Sequence, residues 1–268
     1  MSGKLGTALI TGASTGIGAT YADRLALRGY DLVLVARDEA RLKDLAIKLR
    51  AKSGVHVEVL RADLTDRADL ARVEQRLKDD TAITVLINNA GAAGGGGFEA
   101  PDVDKFENLI ALNVTAVTRL AATAASRFAT RGAGAIVNLS SVLAYAPEFS
   151  SGVYSATKAF VVNLSKSLQL ELGPKGVYVQ IVAPAATATE IWDRSGMDVS
   201  KLPAGSVMDV DDLVDAALVG FDRREPISFP SLPDHGQWEA VEAARLAMAT
   251  NFRNDKPAAR YRVTEPAS

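Results

Sequence analysis

The sequence predicts a doubly wound α/β fold, a Rossmann-type parallel sheet with helices on both faces, in a single domain over residues 1–268. Three observations carry this expectation. Short apolar, β-branched segments alternate with helical segments, the pattern of a parallel sheet covered on both sides. A glycine-rich turn, Thr11-Gly-Ala-Ser-Thr-Gly-Ile-Gly18, separates the first strand from the first helix. The polar residues that stand out fall just after strands, on the rim where such a sheet binds ligands.

The elements follow in order. Residues 5–10 read as a buried strand. Residues 19–28 read as a helix, with Gly29 as its C-cap. A second strand is expected at 30–36 and a helix at 38–51, with Asp38 as N-cap. A third strand at 55–60, a helix at 68–78 and a fourth strand at 83–87 continue the alternation. Two helices cover 103–128, with a break near Asn113. A fifth strand at 135–139, a helix running to Leu172 and a sixth strand at 177–182 follow, then a helix at 211–221. Right-handed crossovers between such strands give the double winding. Gly94 to Gly97 reads as a surface loop. Residues 232–268 read as a C-terminal extension with a weak helix at 237–249.

Composition narrows the function. A hydrophobic share of 48 % with 23 % charged residues suits an ordinary globular chain. A net charge of −2 gives no footprint for nucleic acid or anionic lipid. The absence of cysteine excludes disulfides, thiol catalysis and cysteine-bound metal. His56 and His235 are too far apart in sequence to suggest a metal site, and His56, in an apparent strand, reads as structural. The N-terminus lacks a signal-peptide core and no run is expected to reach transmembrane length. A cytoplasmic protein without membrane or nucleic-acid partners is the expectation.

Two motifs carry chemistry. In the first, Gly12 permits a tight turn, and Gly16 and Gly18 permit close approach of backbone and ligand. The following helix N-terminus presents free N–H groups to a pyrophosphate. No Gly-Lys-Ser/Thr ends the loop, which argues against a nucleoside-triphosphate site. In the second, Tyr154 and Lys158 stand four residues apart, on one helix face. Many helices carry such a pair by chance. Beside a dinucleotide loop, an ammonium that favours the phenolate is expected to lower the tyrosine pKa from about 10 toward neutrality, fitting it for proton transfer.

These motifs, with Asp63-Leu64, Asn88-Asn-Ala-Gly91, Asn113 and Ser141 in order and spacing over roughly residues 4–190, resemble the short-chain dehydrogenase/reductase family in its compact branch. The resemblance implies a catalytic tetrad of Asn113, Ser141, Tyr154 and Lys158. The resemblance prefers Ser141 to Ser140, because the family's serine lies thirteen residues before the tyrosine. The implied roles are proton donation by Tyr154, a hydrogen bond from Ser141 to the substrate oxygen, and phenolate stabilisation and ribose binding by Lys158. Asn113 is implied to bend its helix and hold a water; a helix N-cap after the break is compatible with that role. Cofactor contacts are implied at Gly12, Ser14, Thr15, Gly16, Ile17, Gly18, Asp63, Leu64, Asn89, Ala90, Gly91, Tyr154, Lys158, Pro184, Thr187 and Thr189. The family's Pro-Gly after the sixth strand is Pro184-Ala185 here, which puts the nicotinamide geometry in question.

Arg37, at the end of the second strand, favours NADP over NAD, because a guanidinium suits a 2′-phosphate. Asp38 is the counter-argument, answered by its N-cap role. Residues 187–207 fall where relatives carry a substrate lid. Ile191, Trp192 and Met197 in that lid, with Leu143, Tyr145 and Phe149 near the serine, suggest a small hydrophobic ketone or aldehyde; packing or subunit contact is the alternative for each. Relatives commonly form dimers and tetramers, so a homo-oligomer is expected. The leading expectation is an NADPH-dependent carbonyl reductase, reversible as an alcohol dehydrogenase. A 3-oxoacyl thioester reductase is the nearer alternative, although no basic cluster marks a carrier-protein dock. A dinucleotide-binding regulator has no need of the tyrosine–lysine pair, and a sugar-nucleotide epimerase has differently spaced glycines.

Overall fold

The β-branched runs form parallel strands β1 (Thr7–Thr11), β2 (Asp31–Ala36), β3 (Val57–Arg61), β4 (Ile83–Asn88), β5 (Gly134–Leu139), β6 (Val177–Val182) and β7 (Ile227–Ser228). They make one sheet of order β3-β2-β1-β4-β5-β6-β7. β7, only two residues long, carries no sequence signal and was not expected. The helices are α1 (Gly16–Leu27), α2 (Glu39–Ser53), α3 (Arg67–Asp79), α4 (Val103–Ile110), α5 (Val117–Arg131), α6 (Gly152–Leu172), α7 (Val210–Asp222) and α8 (Gly236–Ala249). This computed structural model describes residues 5–94, 97–99, 101–149, 152–191 and 202–261.

Alternate residues of each strand feed opposite faces. Ile10 and Leu34 join Leu25, Leu42, Leu213 and Leu218 in one core layer. Leu9 and Val33 join Leu70, Leu77, Leu120 and Phe128 in the other. The doubly wound arrangement expected from the alternation is therefore present. The chain divides into two compact units, residues 1–231 and 232–268. The first holds the whole sheet and both core layers. The second holds α8, which has no buried residue.

Several expectations need correction. Helix α1 begins at Gly16 rather than Ala19, so Gly16 to Gly18 form its first turn. Arg28 occupies the C-cap, and Gly29, at φ +91°, follows it. The Gly29 and Tyr30 amides bond the Ala26 and Leu25 carbonyls, closing the helix in a Schellman motif. His56 is exposed and precedes β3; its amide donates to Asp31 Oδ1.

The break expected near Asn113 is a π-helical turn, Ala111–Ala116, so 103–131 runs on as one helix. Asn113 is therefore no N-cap. The one extra residue in the turn is absorbed without ending the helix. The continuous 29-residue run is, by length and composition, long and apolar enough to cross a membrane, contrary to expectation. Its Leu120, Ala121, Ala124 and Phe128 are buried, as befits a helix packed on a sheet.

Candidate active site

Strand ends position the site. The α1 N-terminus has no side-chain cap and no acidic residue in its first turn, whereas α2, α3, α4 and α7 each carry an aspartate that accepts a backbone N–H. The free N–H groups of α1 thus remain for an anion. The glycines are required by contact. A Cβ on Gly12 would stand 2.8 Å from Asn89 Nδ2, and on Gly16 3.0 Å from Thr189 Cγ2. On Gly18 it would run into the Gly12 carbonyl. Thr11 Oγ1 accepts the Asn89 and Ala90 amides at 3.0 Å each, and Asn89 Nδ2 donates to Thr11 O at 2.9 Å. Asn89 thus spends its side-chain amide on the glycine turn, fastening it to the end of β4. This cradle of bare backbone and free N–H groups fits a dinucleotide pyrophosphate. Ser14, Thr15 and Ile17 are half-buried along it.

On the adenosine side, Arg37 is 68 % exposed, 3.9 Å from Asp63 Oδ2. Asp63 Oδ1 accepts the Thr65 amide and hydroxyl at 3.0 and 2.7 Å. Asp38 caps α2 as expected, accepting the Arg41 amide. Leu64 turns its side chain into the core. Arg41, which the sequence reading missed, donates to both Glu190 oxygens at 2.9 and 2.7 Å, tying α2 to the chain beyond β6. The partners are 149 residues apart, so no local pattern signals the pair.

The polar rim comes together beyond β4, β5 and β6. Ser141 Oγ lies 3.3 Å from the Pro184 carbonyl, accepts the Leu143 amide at 3.2 Å and is hydrogen-bonded to the Tyr154 side chain. Lys158 is buried; its Nζ donates to Leu139 O at 3.0 Å and stands 5.7 Å from the Tyr154 ring centre. Asn113 is buried, with Oδ1 accepting the Ala92 amide and Nδ2 donating to Ala92 O and Thr157 Oγ1. A Cβ on Gly91 would lie 3.3 Å from Asn113 Oδ1 and 3.4 Å from Lys158 Nζ, so both side chains converge over that glycine.

The electrostatics differ from expectation. Burial pushes the Tyr154 phenol up to about 12, with the Ser141 hydrogen bond acting the other way. Burial brings the Lys158 ammonium down to about 8. The lowering of the tyrosine toward neutrality is therefore absent: Lys158 directs its ammonium to a backbone carbonyl, and desolvation of the phenolate dominates.

Pro184 is buried and Ala185 half-buried; the Ala185 carbonyl accepts the Thr187 hydroxyl at 3.0 Å. Leu143 and Ile191 are half-buried. Tyr145 packs on Phe229 at 5.5 Å between ring centres, whereas Phe149 is 79 % exposed. Trp192 and Met197 lie outside the described residues, as do residues 192–201 of the expected lid. A separate cavity of about 330 Å³ is lined by Phe98, Ile110, Val114 and Val153; Ser141, Tyr154 and Lys158 do not line it.

A doubly wound sheet, a bare glycine cradle and a serine–tyrosine–lysine cluster on one rim define a dinucleotide-dependent oxidoreductase. The short chain dehydrogenase family model matches residues 6–199, and the chain belongs to that family. It is 31 % identical over 245 residues to 2,5-dichloro-2,5-cyclohexadiene-1,4-diol dehydrogenase LinX of Sphingobium indicum, covering 89 % of this chain and 97 % of that one. Among solved structures it resembles a short-chain dehydrogenase from Sphingobium yanoikuyae in complex with NADPH, at 58 % identity and TM-score 0.94, over 96 % of this chain and 100 % of the other. It also resembles a bulky-bulky ketone specific alcohol dehydrogenase from Comamonas testosteroni, at 51 % identity and TM-score 0.89, over 96 % and 99 %. The chain is thus an oxidoreductase of the alcohol–ketone type.

Proposed function

We propose that the protein is an NADPH-dependent carbonyl reductase, reversible as an alcohol dehydrogenase, acting on a ketone or aldehyde with apolar substituents. The observation that carries the reading is the convergence of Tyr154, the buried Lys158 one helical turn away and Ser141 beside the glycine cradle. NADPH, when bound, supplies the hydride. Tyr154, with its proton held up to about 12, is a donor at neutral pH and gives that proton to the carbonyl oxygen. Ser141 donates a hydrogen bond to the same oxygen, stabilising the charge that develops there. Lys158, still mainly charged at pH 7 with a pKa of about 8, offsets the negative charge left on the phenol oxygen. Asn113 holds the Ala92 backbone and Thr157 of α6 together, fixing the wall on which Lys158 rests.

Exposed Arg37 supports NADP as the preferred cofactor, as does the NADPH complex of the Sphingobium yanoikuyae relative. Half-buried Leu143 and Ile191 support an apolar substrate body. The proposal extends to a cytoplasmic homo-oligomer, dimer or tetramer, in which exposed Ile110 and Phe160 become covered. The test is an NADPH-oxidation screen over ketones, aldehydes and acyl thioesters. Turnover of ketones carrying apolar groups is expected. Very-long-chain 3-oxoacyl-CoA reductase-A of Danio rerio, 33 % identical over 196 residues, spanning 71 % of this chain and 61 % of its own, keeps the thioester reading alive, and turnover of thioesters alone would select it. Tight NADPH binding without any oxidation would favour a regulator.

A further inference from the structure

The last two residues of β5 and the one that follows it bond to α6, the helix that carries Tyr154 and Lys158. Asn138 Nδ2 donates to Ser165 Oγ at 2.9 Å, Lys158 Nζ donates to Leu139 O at 3.0 Å, and Ser140 Oγ donates to Lys158 O at 2.9 Å. Asn138 and Ser165 are fully buried, and Ser140 nearly so. We propose that Asn138, Ser140 and Ser165 are positioning residues: they fix the rotation and register of α6 on β5, so that the Lys158 ammonium meets the Leu139 carbonyl and the Tyr154 hydroxyl meets Ser141.

Buried polar groups are costly unless bonded, and apolar side chains would fill these positions at less cost. Neighbouring positions are apolar: Ile136 and Val137 on β5, Val161 and Val162 on α6. Apolar contacts tolerate sliding and rotation, whereas hydrogen bonds do not. Ser165 lies seven residues beyond Lys158, about 10 Å along the helix axis and on the same face. Anchors at both points set the tilt of α6 as well as its register. The Ser165 hydroxyl donates to Val161 O at 2.7 Å, which leaves its oxygen to accept from Asn138. Asn138 Oδ1 in turn accepts Asn88 Nδ2 at 2.9 Å. The chain of bonds thus reaches the end of β4, where Asn89 begins its hold on the glycine turn. It links the catalytic helix to the cofactor cradle through the core of the sheet.

The inference rests on the catalytic reading above, and the experiment separates the two. Ser140→Ala, Ser165→Ala and the double variant are made in the full chain and compared at equal folded fraction by circular dichroism. With the ketone found by the screen, each single change is expected to lower kcat about three- to tenfold. The double change is expected to lower it by more than the product of the singles, with the NADPH Kd within about twofold of the parent. A second readout needs neither substrate nor cofactor. Carbon NMR of labelled lysine follows Lys158, whose titratable neighbour is Tyr154; its midpoint is expected to move up toward the ordinary lysine value as water enters. The inference is overturned if the double variant melts lower yet keeps the parent kcat, or if the Lys158 midpoint stays where it was; should the double variant not fold, the singles decide by the same two readouts. Full turnover by Tyr154→Phe would instead sink the catalytic reading itself.

Discussion

Tyr154 and Lys158 are set by burial in opposite directions, which fixes what each does at neutral pH. A phenol held up to about 12 keeps its proton and serves as an acid in reduction. Tyr154→Phe removes that proton and should lower turnover by roughly 10²–10⁴ while NADPH still binds; single-turnover kinetics with a fluorescence binding titration checks both halves. The lysine sets the pH profile. Its pKa, lowered from 10.5 to about 8, means that the charged form disappears as pH rises through about 8. The tyrosine proton is still present there, so kcat/KM for reduction should be flat near neutrality and fall about tenfold per unit above that point. A limb that begins at pH 10 or higher would show the ammonium not to be desolvated as described. In stability the sign is reversed. Between about 8 and 10.5 the folded chain binds fewer protons at Lys158 than the unfolded chain, so this group's contribution grows as pH rises through that window.

At the scale of elements, the adenosine end of the site is a contest between two neighbours on the β2–α2 connection. Arg37 offers an exposed guanidinium with only a long, 3.9 Å contact to Asp63, and Asp38 caps α2. Arg37→Asp should shift the ratio of NADP to NAD efficiency toward NAD by about ten- to a hundredfold, the worth of a charged hydrogen bond. Asp38→Asn keeps a good cap and removes a negative charge, so it should leave the melting temperature alone and move the ratio toward NADP. Kinetics with both cofactors on the two variants decides; an unchanged ratio in Arg37→Asp removes that residue as the selector. Local pattern made most elements legible. The β-branched runs of β2, β4 and β6 and the capping aspartate of α2 stand out in the sequence because they answer to neighbouring residues. At Asn113 the sequence shows an irregularity but not its kind, since one extra residue in a helical run leaves the apolar periodicity nearly intact and a π turn reads as a break. β7 is too short to show alternation. In the site, Tyr154 and Lys158 stand out through their spacing beside a glycine loop, and Ser141 only through the family resemblance. The Leu139 carbonyl that Lys158 meets belongs to the backbone and has no sequence signature. Ser165 and Asn138, like Arg41 and Glu190, meet only after the sheet has formed.

In the whole molecule, the sheet order reverses between β1 and β4, and the crevice outside that switch point gathers the glycine turn, Asn89 and the β5–β6 rim. This arrangement needs only the sheet and its two core layers. Among the described residues, the buried apolar residues that build those layers end at Ile227, and α8 adds none. An isolated helix of 14 residues is marginal in water, and α8 has no buried residue, so α8 is expected to add little stability. A chain ending at Ser231 should therefore fold with the same far-UV signature per sheet residue and a single melting transition. A stability loss below about 1 kcal/mol would lower the melting temperature by only about 2–4 °C. Calorimetry on the full and shortened chains makes the comparison. A drop of 10 °C or more, or loss of cooperativity, would mean that the tail completes the core, and the chain would then count as one folding unit from end to end.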